Sequence, residues 1–395
     1  MRRELVLDLS RLLWRARFAT PSGIDRVERA YAGYFLTRTD RKVRFVARMG
    51  PMGAREMPAE SLVAFLDALD RMWAGSAASG ERAMIARLVA ASRRFRSTGP
   101  RFSIIPSHQN WHRRSWLEEL RGKDGRLALF LHDTIPADYP EYARTGGAER
   151  HQERLRNGLA VADGFIVNSA ATLNSLHRFS APGQPPPQAV IAPIGLNSLP
   201  SPGPVDLPDR PYFVCLGTIE PRKNHLLLLH LWRQFGEAQL GNTGPDRAPA
   251  LLVIGRRGWE NENIIDLLDR SRGLKGLVHE LNAVGDEQLS AYVRGARAVL
   301  MPSFAEGFGM PVSEALAAGT PVIAADLPVF RETAGEVPLY IDPLDGIGWK
   351  EAILAYAQPD SPLRAGQCER IKSWKPPLWQ DHFASVHEFM NRLDR

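Results

Sequence analysis

The chain has 395 residues, 44% apolar and 24% charged, with 33 glycines, 30 prolines and two cysteines, Cys215 and Cys368. At roughly 100–200 residues per domain this predicts two domains, and such a composition excludes collagen-like repeats, coiled coils and wholesale disorder. The net charge of +6 hides an asymmetry, because residues 1–114 carry 22 Lys/Arg against 10 Asp/Glu and the remainder 28 against 34. That bias fits an anionic partner for the first third, nucleic acid or an acidic membrane, and equally a merely solvated arginine-rich face. Two cysteines make neither a disulfide framework nor a metal site, so a reducing, cytosolic setting is the default. No stretch reaches the ~18 uncharged apolar residues of a membrane-spanning helix. Glu4, Asp8, Arg11 and Arg15 interrupt any signal-peptide core.

Val6 to Leu9 read as a first strand, followed by a turn at Pro21-Ser-Gly-Ile24 and an amphipathic helix from Asp25 to Leu36. Lys42 to Ala47 and Ser103 to Ile105 are further strands. The apolar runs Leu127 to Leu131 and Gly164 to Asn168 have the character of buried parallel strands, the second leading into a helix from Ser169. Ten prolines between 182 and 211 mark a surface loop and then a linker. The alternation then restarts, with strands at 212–217, 250–255, 278–281, 298–301, 321–324 and 339–341 and helices at 225–236, 287–296 and 311–318. A last amphipathic helix spans 379–393. The fold class is therefore α/β, two Rossmann-like parallel-sheet domains whose site lies at the carboxyl ends of the strands, in a cleft. The boundaries read as 1–198 for the first domain, 199–210 for the linker, 211–375 for the second domain and 376–395 for a helix packing back on the first.

The segment Pro302-Ser-Phe-Ala-Glu-Gly-Phe-Gly-Met-Pro-Val-Ser-Glu-Ala-Leu-Ala-Ala-Gly-Thr-Pro-Val-Ile323 carries the chemistry. Gly307 and Gly309 let the backbone after a strand turn sharply and approach a ligand. Pro311 suits a helix start and Gly319 its end. Backbone N–H groups near Phe308, Gly309 and Met310 then offer an anion site at a positive helix end. Glu306 and Glu314 flank the turn; Glu314 alone reads equally as complementing the helix dipole.

This run resembles the retaining glycosyltransferases of family 4, a group 1 family with the two-domain GT-B fold, whose Glu-x7-Glu signature is Glu306 and Glu314 here. Leu216-Gly-Thr-Ile-Glu-Pro-Arg-Lys-Asn224 agrees with it, and so do Asp286-Glu-Gln-Leu-Ser-Ala-Tyr-Val-Arg-Gly-Ala296 and Gly255-Arg-Arg-Gly-Trp259. His132-Asp-Thr-Ile-Pro136, Asn168-Ser169 and Pro193-Ile-Gly-Leu-Asn197 extend the resemblance thinly over the first domain. It implies that Arg222 and Lys223 hold the donor diphosphate, with Glu306 at the donor sugar and Glu314 at the ribose. Gly217, Thr218, Gly255, Arg256, Gly307, Phe308, Gly309 and Met310 complete the donor site. His132 is implied at the donor sugar, and Asp133 fixes either backbone or acceptor. Ser22, Gly23, Ile24 and Arg26 match a turn near the diphosphate and acceptor, or form a plain helix start capped by Ser22. Where many members have Gly-Arg this chain has Gly217-Thr218, a variant similar to mannosyltransferases of bacterial surface polysaccharides and a pointer to GDP-mannose.

The implied reaction transfers a hexose from a nucleotide sugar to a lipid-linked or polysaccharide acceptor. Whether Glu306 is a nucleophile or an electrostatic partner stays open. No Asp-x-Asp triplet and no zinc-spaced His/Cys cluster occur, so neither metal nor cofactor is expected. The alternatives are a GT-B nucleotide-sugar epimerase and a non-catalytic nucleotide-sugar-binding subunit. A dehydrogenase lacks its Gly-x-Gly-x-x-Gly after the first strand, and no motif supports nucleic-acid binding. Glu81 to Arg96, if helical, offers Met84, Ile85, Leu88, Val89 and Phe95 with Arg82, Arg87, Arg93, Arg94 and Arg96 to an anionic membrane, or packs its apolar side on the domain.

Overall fold

The computed structural model describes residues 3–18, 20–74, 81–96, 99–180, 183, 185–197, 199–240 and 248–395. The chain forms two units, Met1–Ile194 with Leu378–Arg395, and Gly195–Pro377.

The first unit is built on eight strands: β1 (Glu4–Asp8), β2 (Val43–Arg48), β3 (Ala54–Met57), β4 (Arg93–Arg94), β5 (Arg101–Ile105), β6 (Arg126–Leu131), β7 (Gly164–Val167) and β8 (Ala189–Ile191). They lie in the order β4-β3-β2-β1-β5-β6-β7-β8. The run Leu127 to Leu131 is wholly buried, as a strand covered on both faces must be. The pattern of alternation did not reveal β3 and β4, which pair antiparallel at one edge. That edge also corrects the helix expected over 81–96. The helix ends at Ala91, Ser92 turns back on the Val89 carbonyl through its N–H and Oγ, and Arg93 and Arg94 join the sheet. Its apolar side packs inward, with Leu88 and Phe95 buried and Met84 and Ile85 lining a small cavity with Phe65, Leu69 and Met72. Arg82's side chain lies outside the described residues.

The helix Trp379–Asp394 completes this unit through Phe383, Val386, Phe389, Met390 and Leu393, all buried. Phe383 stacks on Tyr34 at 3.7 Å between centroids. His382 ties the helix down at its start, its Nε2 2.8 Å from the Tyr31 hydroxyl and its Nδ1 3.0 Å from the Pro193 carbonyl.

In the second unit six strands are all parallel: β9 (Tyr212–Leu216), β10 (Ala250–Ile254), β11 (Val278–Leu281), β12 (Val299–Met301), β13 (Val322–Ala325) and β14 (Leu339–Ile341). Their order is β11-β10-β9-β12-β13-β14. Phe213, Cys215, Leu251, Val253, Leu300 and Ile323 from the strands meet Leu229, Trp232 and Trp349 from the helices in one core. The order reverses between β9 and β12, and the crevice outside the carboxyl ends at such a point is where doubly wound sheets bind ligands. Residues 199–210 lie on this unit: Ser290 Oγ donates to the Pro200 carbonyl at 2.6 Å and the Gly203 N–H to the Glu287 carbonyl at 2.9 Å.

Candidate active site

The loops after β9 and β12 meet at the reversal of strand order. The first leaves its strand through Gly217, whose φ of 125° a side chain would strain. It then makes a single 3-10 turn, Pro221–Lys223, closed by Asn224 in the left-handed conformation. Asn224 Nδ2 donates to the carbonyls of Pro302 (3.2 Å) and Pro343 (2.9 Å), and the Phe304 N–H to the carbonyl of Arg222 (2.8 Å). The Asn224 side chain and the Phe304 N–H thus fix the basic turn against the second loop.

Four charges close on one another there. Lys223 Nζ lies 2.5 Å from Glu306 Oε1, and Arg222 Nη1 lies 2.9 Å from Glu306 Oε2. Arg222 Nε reaches back to Glu220 Oε1 at 2.7 Å, and its Nη1 also donates to the Ala305 carbonyl. Ser303 Oγ donates to Glu306 Oε1 at 2.7 Å. Burial pushes the Glu306 carboxyl up, but the two cations overcome it and hold it at about 2. Burial dominates at Glu220 and raises it despite the same cations. The result is a quartet of two carboxylates and two cations, buried but for the half-buried Arg222, in which each charge already has its partner.

The other residues expected at the donor stand on the same loops and on the 255–258 turn beside them. Gly255 packs so tightly on the Gly217 carbonyl that a Cβ would lie 1.9 Å from it. The 255–258 turn runs beside the first loop, with the Ile219 N–H donating to the Arg256 carbonyl and the Gly258 N–H to that of Ile219, both at 2.9 Å. The structure thereby brings Gly217, Thr218, Gly255 and Arg256 together. Neighbouring Arg257 is engaged elsewhere, by Asp269 and Glu280. Gly309 is left-handed (φ 80°) and begins the helix Met310–Ala317, with the Phe330 ring where its Cβ would be. Phe308 is buried, and Glu314 sits half-buried in the second turn. Sequence reading gave no role to Glu220, Asn224 or Ser303, although all three stand inside the quoted segments.

In the first unit, Ser22 is the cap of the helix Gly23–Leu36, in a reciprocal box with Asp25. This is the plain reading of that turn. Asp25, missed from sequence, is buried between Arg11 and Arg15. Gly23, Ile24 and Arg26 fall in the first turn of the same helix. His132 is buried against Phe130, with Nε2 2.7 Å from the Pro106 carbonyl. That bond places its proton on Nε2, and burial pushes the imidazole down to about 4, so it is neutral. Asp133 Oδ1 accepts the Ile135 N–H at 3.1 Å. Among the described residues no group of three or more His, Cys, Asp or Glu is placed to hold a metal ion.

The fold has relatives. The sucrose-phosphate synthase of Thermosynechococcus elongatus superposes with a TM-score of 0.63 at 19% identity, covering 100% of this chain and 99% of that one. HepE of Anabaena, in complex with UDP and glucose, gives 0.63 at 15% identity over the whole of both chains. The architecture is that of the GT-B glycosyltransferases. Residues 204–342 match the family model of glycosyl transferases group 1, and this segment, which contains the whole quartet, belongs to that family. O-antigen chain mannosyltransferase B of Escherichia coli is 35% identical over 171 residues, 43% of each protein. O-antigen chain mannosyltransferase RfbU of Salmonella typhimurium is 32% identical over 157 residues, 38% of this chain and 40% of that one. The similarity thus spans less than half of either relative. Among the described residues no helix is long and apolar enough to cross a membrane.

Proposed function

We propose that this chain is a glycosyltransferase of bacterial surface-glycan synthesis, moving a hexosyl group, mannose favoured, from a nucleotide sugar to a lipid-linked or polysaccharide acceptor. The observation that carries this reading is the Glu306–Arg222–Lys223 cluster at the strand-order reversal of a group 1 segment. The names of the relatives support the sugar and the setting, and HepE with UDP and glucose supports a nucleotide-sugar site.

The chemistry follows from the charges. As the bond between C1 and the phosphate oxygen breaks, negative charge grows on the departing diphosphate and positive charge on the sugar. Arg222 and Lys223 share their charge between Glu306 and the diphosphate, and preorganised cations of this kind often supply the largest part of a rate enhancement. A carboxyl held at about 2 is ionised at any working pH and is no proton donor. In a same-face reaction the Glu306 carboxylate is a fixed negative charge beside the oxocarbenium-like carbon and not a nucleophile. The acceptor oxygen bonds C1 on the face the phosphate leaves, its proton passes to the phosphate oxygen, and configuration is retained. The backbone N–H groups at 308–310 and the glycines 217, 255 and 307 cradle the donor, with Glu314 at the ribose. His132 serves the donor sugar, and Asp133 and the turn 22–26 serve the acceptor side. Neither metal nor cofactor takes part. The exposed Arg87, Arg93, Arg94 and Arg96 of the basic first third dock the enzyme on an anionic membrane surface.

The deciding experiment is a panel of GDP-, UDP-, ADP- and dTDP-sugars offered to the purified chain with excess EDTA, the product followed by NMR. Turnover of one donor, GDP-mannose first, with an α-anomeric product is the expected outcome. An inverted anomer, or activity abolished by EDTA and restored by Mn²⁺ or Mg²⁺, would refute the mechanism; turnover of no donor would refute the function.

A further inference from the structure

A cluster of nitrogen-bearing side chains in the first unit has no part in that chemistry. The helix Gly147–Val161 places His151 and Arg154 three residues apart, on one face. The loop after β5 contributes His108, Trp111 and His112. The His108 ring lies 5.1 Å from both the His151 and the Trp111 rings.

Hydrogen bonds fix where the protons are. The His132 backbone N–H donates to His108 Nε2 at 2.9 Å, so the His108 proton sits on Nδ1. His151 Nε2 lies 3.2 Å from the Asp133 carbonyl, which makes it the donor and leaves Nδ1 with a lone pair. Four buried nitrogens then remain without a hydrogen-bond partner: Arg154 Nε, Trp111 Nε1, His151 Nδ1 and His112 Nδ1. A buried polar group left unpaired costs about 1–3 kcal/mol, and native folds seldom gather several in one place without a ligand or water to meet them. The local charge has a sign. Arg154 faces Arg150 and Arg11, with Asp133 and Glu153 as the carboxylates in reach. Burial, reinforced by Arg154, pushes His151 down to about 4.

We propose that Arg154, Trp111, His108 and His151 form a binding site for a phosphoryl anion, separate from the diphosphate site at Arg222 and Lys223. The chemistry of the ligand follows from the donor set. Arg154 Nε–H, Trp111 Nε1–H and His108 Nδ1–H are donors that match three phosphoryl oxygens. His151 Nδ1 is an acceptor that matches a P–OH. A carboxylate would satisfy the donors and leave His151 unmet.

The test is a titration of the full chain with inorganic phosphate and with phenyl phosphate, following the histidine ring nitrogens by NMR. Both ligands should move the His108 and His151 resonances saturably. Arg154→Gln should weaken that binding about tenfold or more, as loss of a charge-assisted hydrogen bond does, and Arg154→Lys should recover part of it. The Arg222→Ala/Lys223→Ala double variant should titrate like the parent. Two arms separate the sources of phosphate. A nucleoside diphosphate that moves these resonances in the double variant assigns the site to donor-derived phosphate. Phenyl phosphate moving them where the nucleotide does not assigns it to the acceptor. Resonances that stay still at tens of millimolar phosphate, or an Arg154→Gln protein that folds and titrates like the parent, would overturn the proposal. If Arg154→Gln does not fold, an Arg154→Lys protein of undiminished affinity overturns it instead. No glycosyl transfer is measured, so this result stands apart from the fate of the donor panel.

Discussion

At the scale of single residues, the quartet of Glu220, Arg222, Lys223 and Glu306 sets what substitutions will do. Arg222→Ala or Lys223→Ala should each lower kcat/KM by a factor of ~100 or more, since ~3 kcal/mol of transition-state stabilisation goes with the cation. Each also leaves a buried carboxylate short of a partner, so rates must be read well below the melting temperature of the variant. A double variant that transfers sugar as fast as the parent would remove the phosphate role from both. The sign of the pH dependence follows from Glu306. Its folded carboxyl lies at about 2, below the ordinary 4.5, so the stability it contributes is complete above pH 4.5 and is lost as pH falls towards 2. Motif reading found three of these four residues. It missed Glu220 because a neighbour two positions away in a 3-10 turn leaves no periodic trace, and only the fold shows which cation it holds.

Among the elements, the C-terminal helix was legible because five apolar residues share a stripe, and those five are buried. Its seat was less so. Phe389 presses on Gly164 of β7, where a Cβ would come within 2.4 Å of the ring. Phe389→Ala should therefore cost about 3–5 kcal/mol as a core truncation, and Gly164→Ala about 1–3 kcal/mol as overpacking. Both should lower the melting transition of the first unit while leaving nucleotide protection of the second unchanged; a shift in the second alone would contradict the assignment of this helix. The antiparallel edge escaped sequence reading for an opposite reason. Arg93 and Arg94 carry no apolar signal, and β4 exists because the edge of β3 offers it hydrogen bonds. The His108, Trp111 and His151 group escaped as well, since its members stand on a loop and a helix some forty residues apart in sequence.

For the whole molecule, the charge asymmetry is the one feature plain in the sequence whose purpose composition leaves open. The structure weakens the apolar half of the membrane argument, because Leu88 and Phe95 are buried in the first unit and Met84, Ile85 and Val89 are half-buried, and leaves Arg87, Arg93, Arg94 and Arg96 exposed. Docking by charge alone makes a sharper forecast than insertion would. Co-sedimentation with vesicles should require anionic lipid, weaken steeply between low and physiological salt, and fall when Arg93, Arg94 and Arg96 become Gln, with ~1 kcal/mol carried by each arginine near the surface. Equal binding to neutral vesicles, or none to anionic ones, would return the basic face to plain solvation.

The two units differ in how they are threaded. The second is one uninterrupted stretch, whereas the first is made of residues 1–194 and the helix that follows residue 377. During synthesis the chain must therefore hold an apolar surface of its first unit uncovered, around Tyr31 and Phe35 of the helix Gly23–Leu36 and Gly164 of β7, for the whole time the second unit is being made. At ~5–20 residues per second that interval is on the order of ten seconds or more, long against the collapse of a domain. A chaperone that shields exposed apolar surface should accordingly engage nascent chains of this protein over the middle of translation and release them when Phe383, Val386, Phe389 and Met390 emerge to close the sheet.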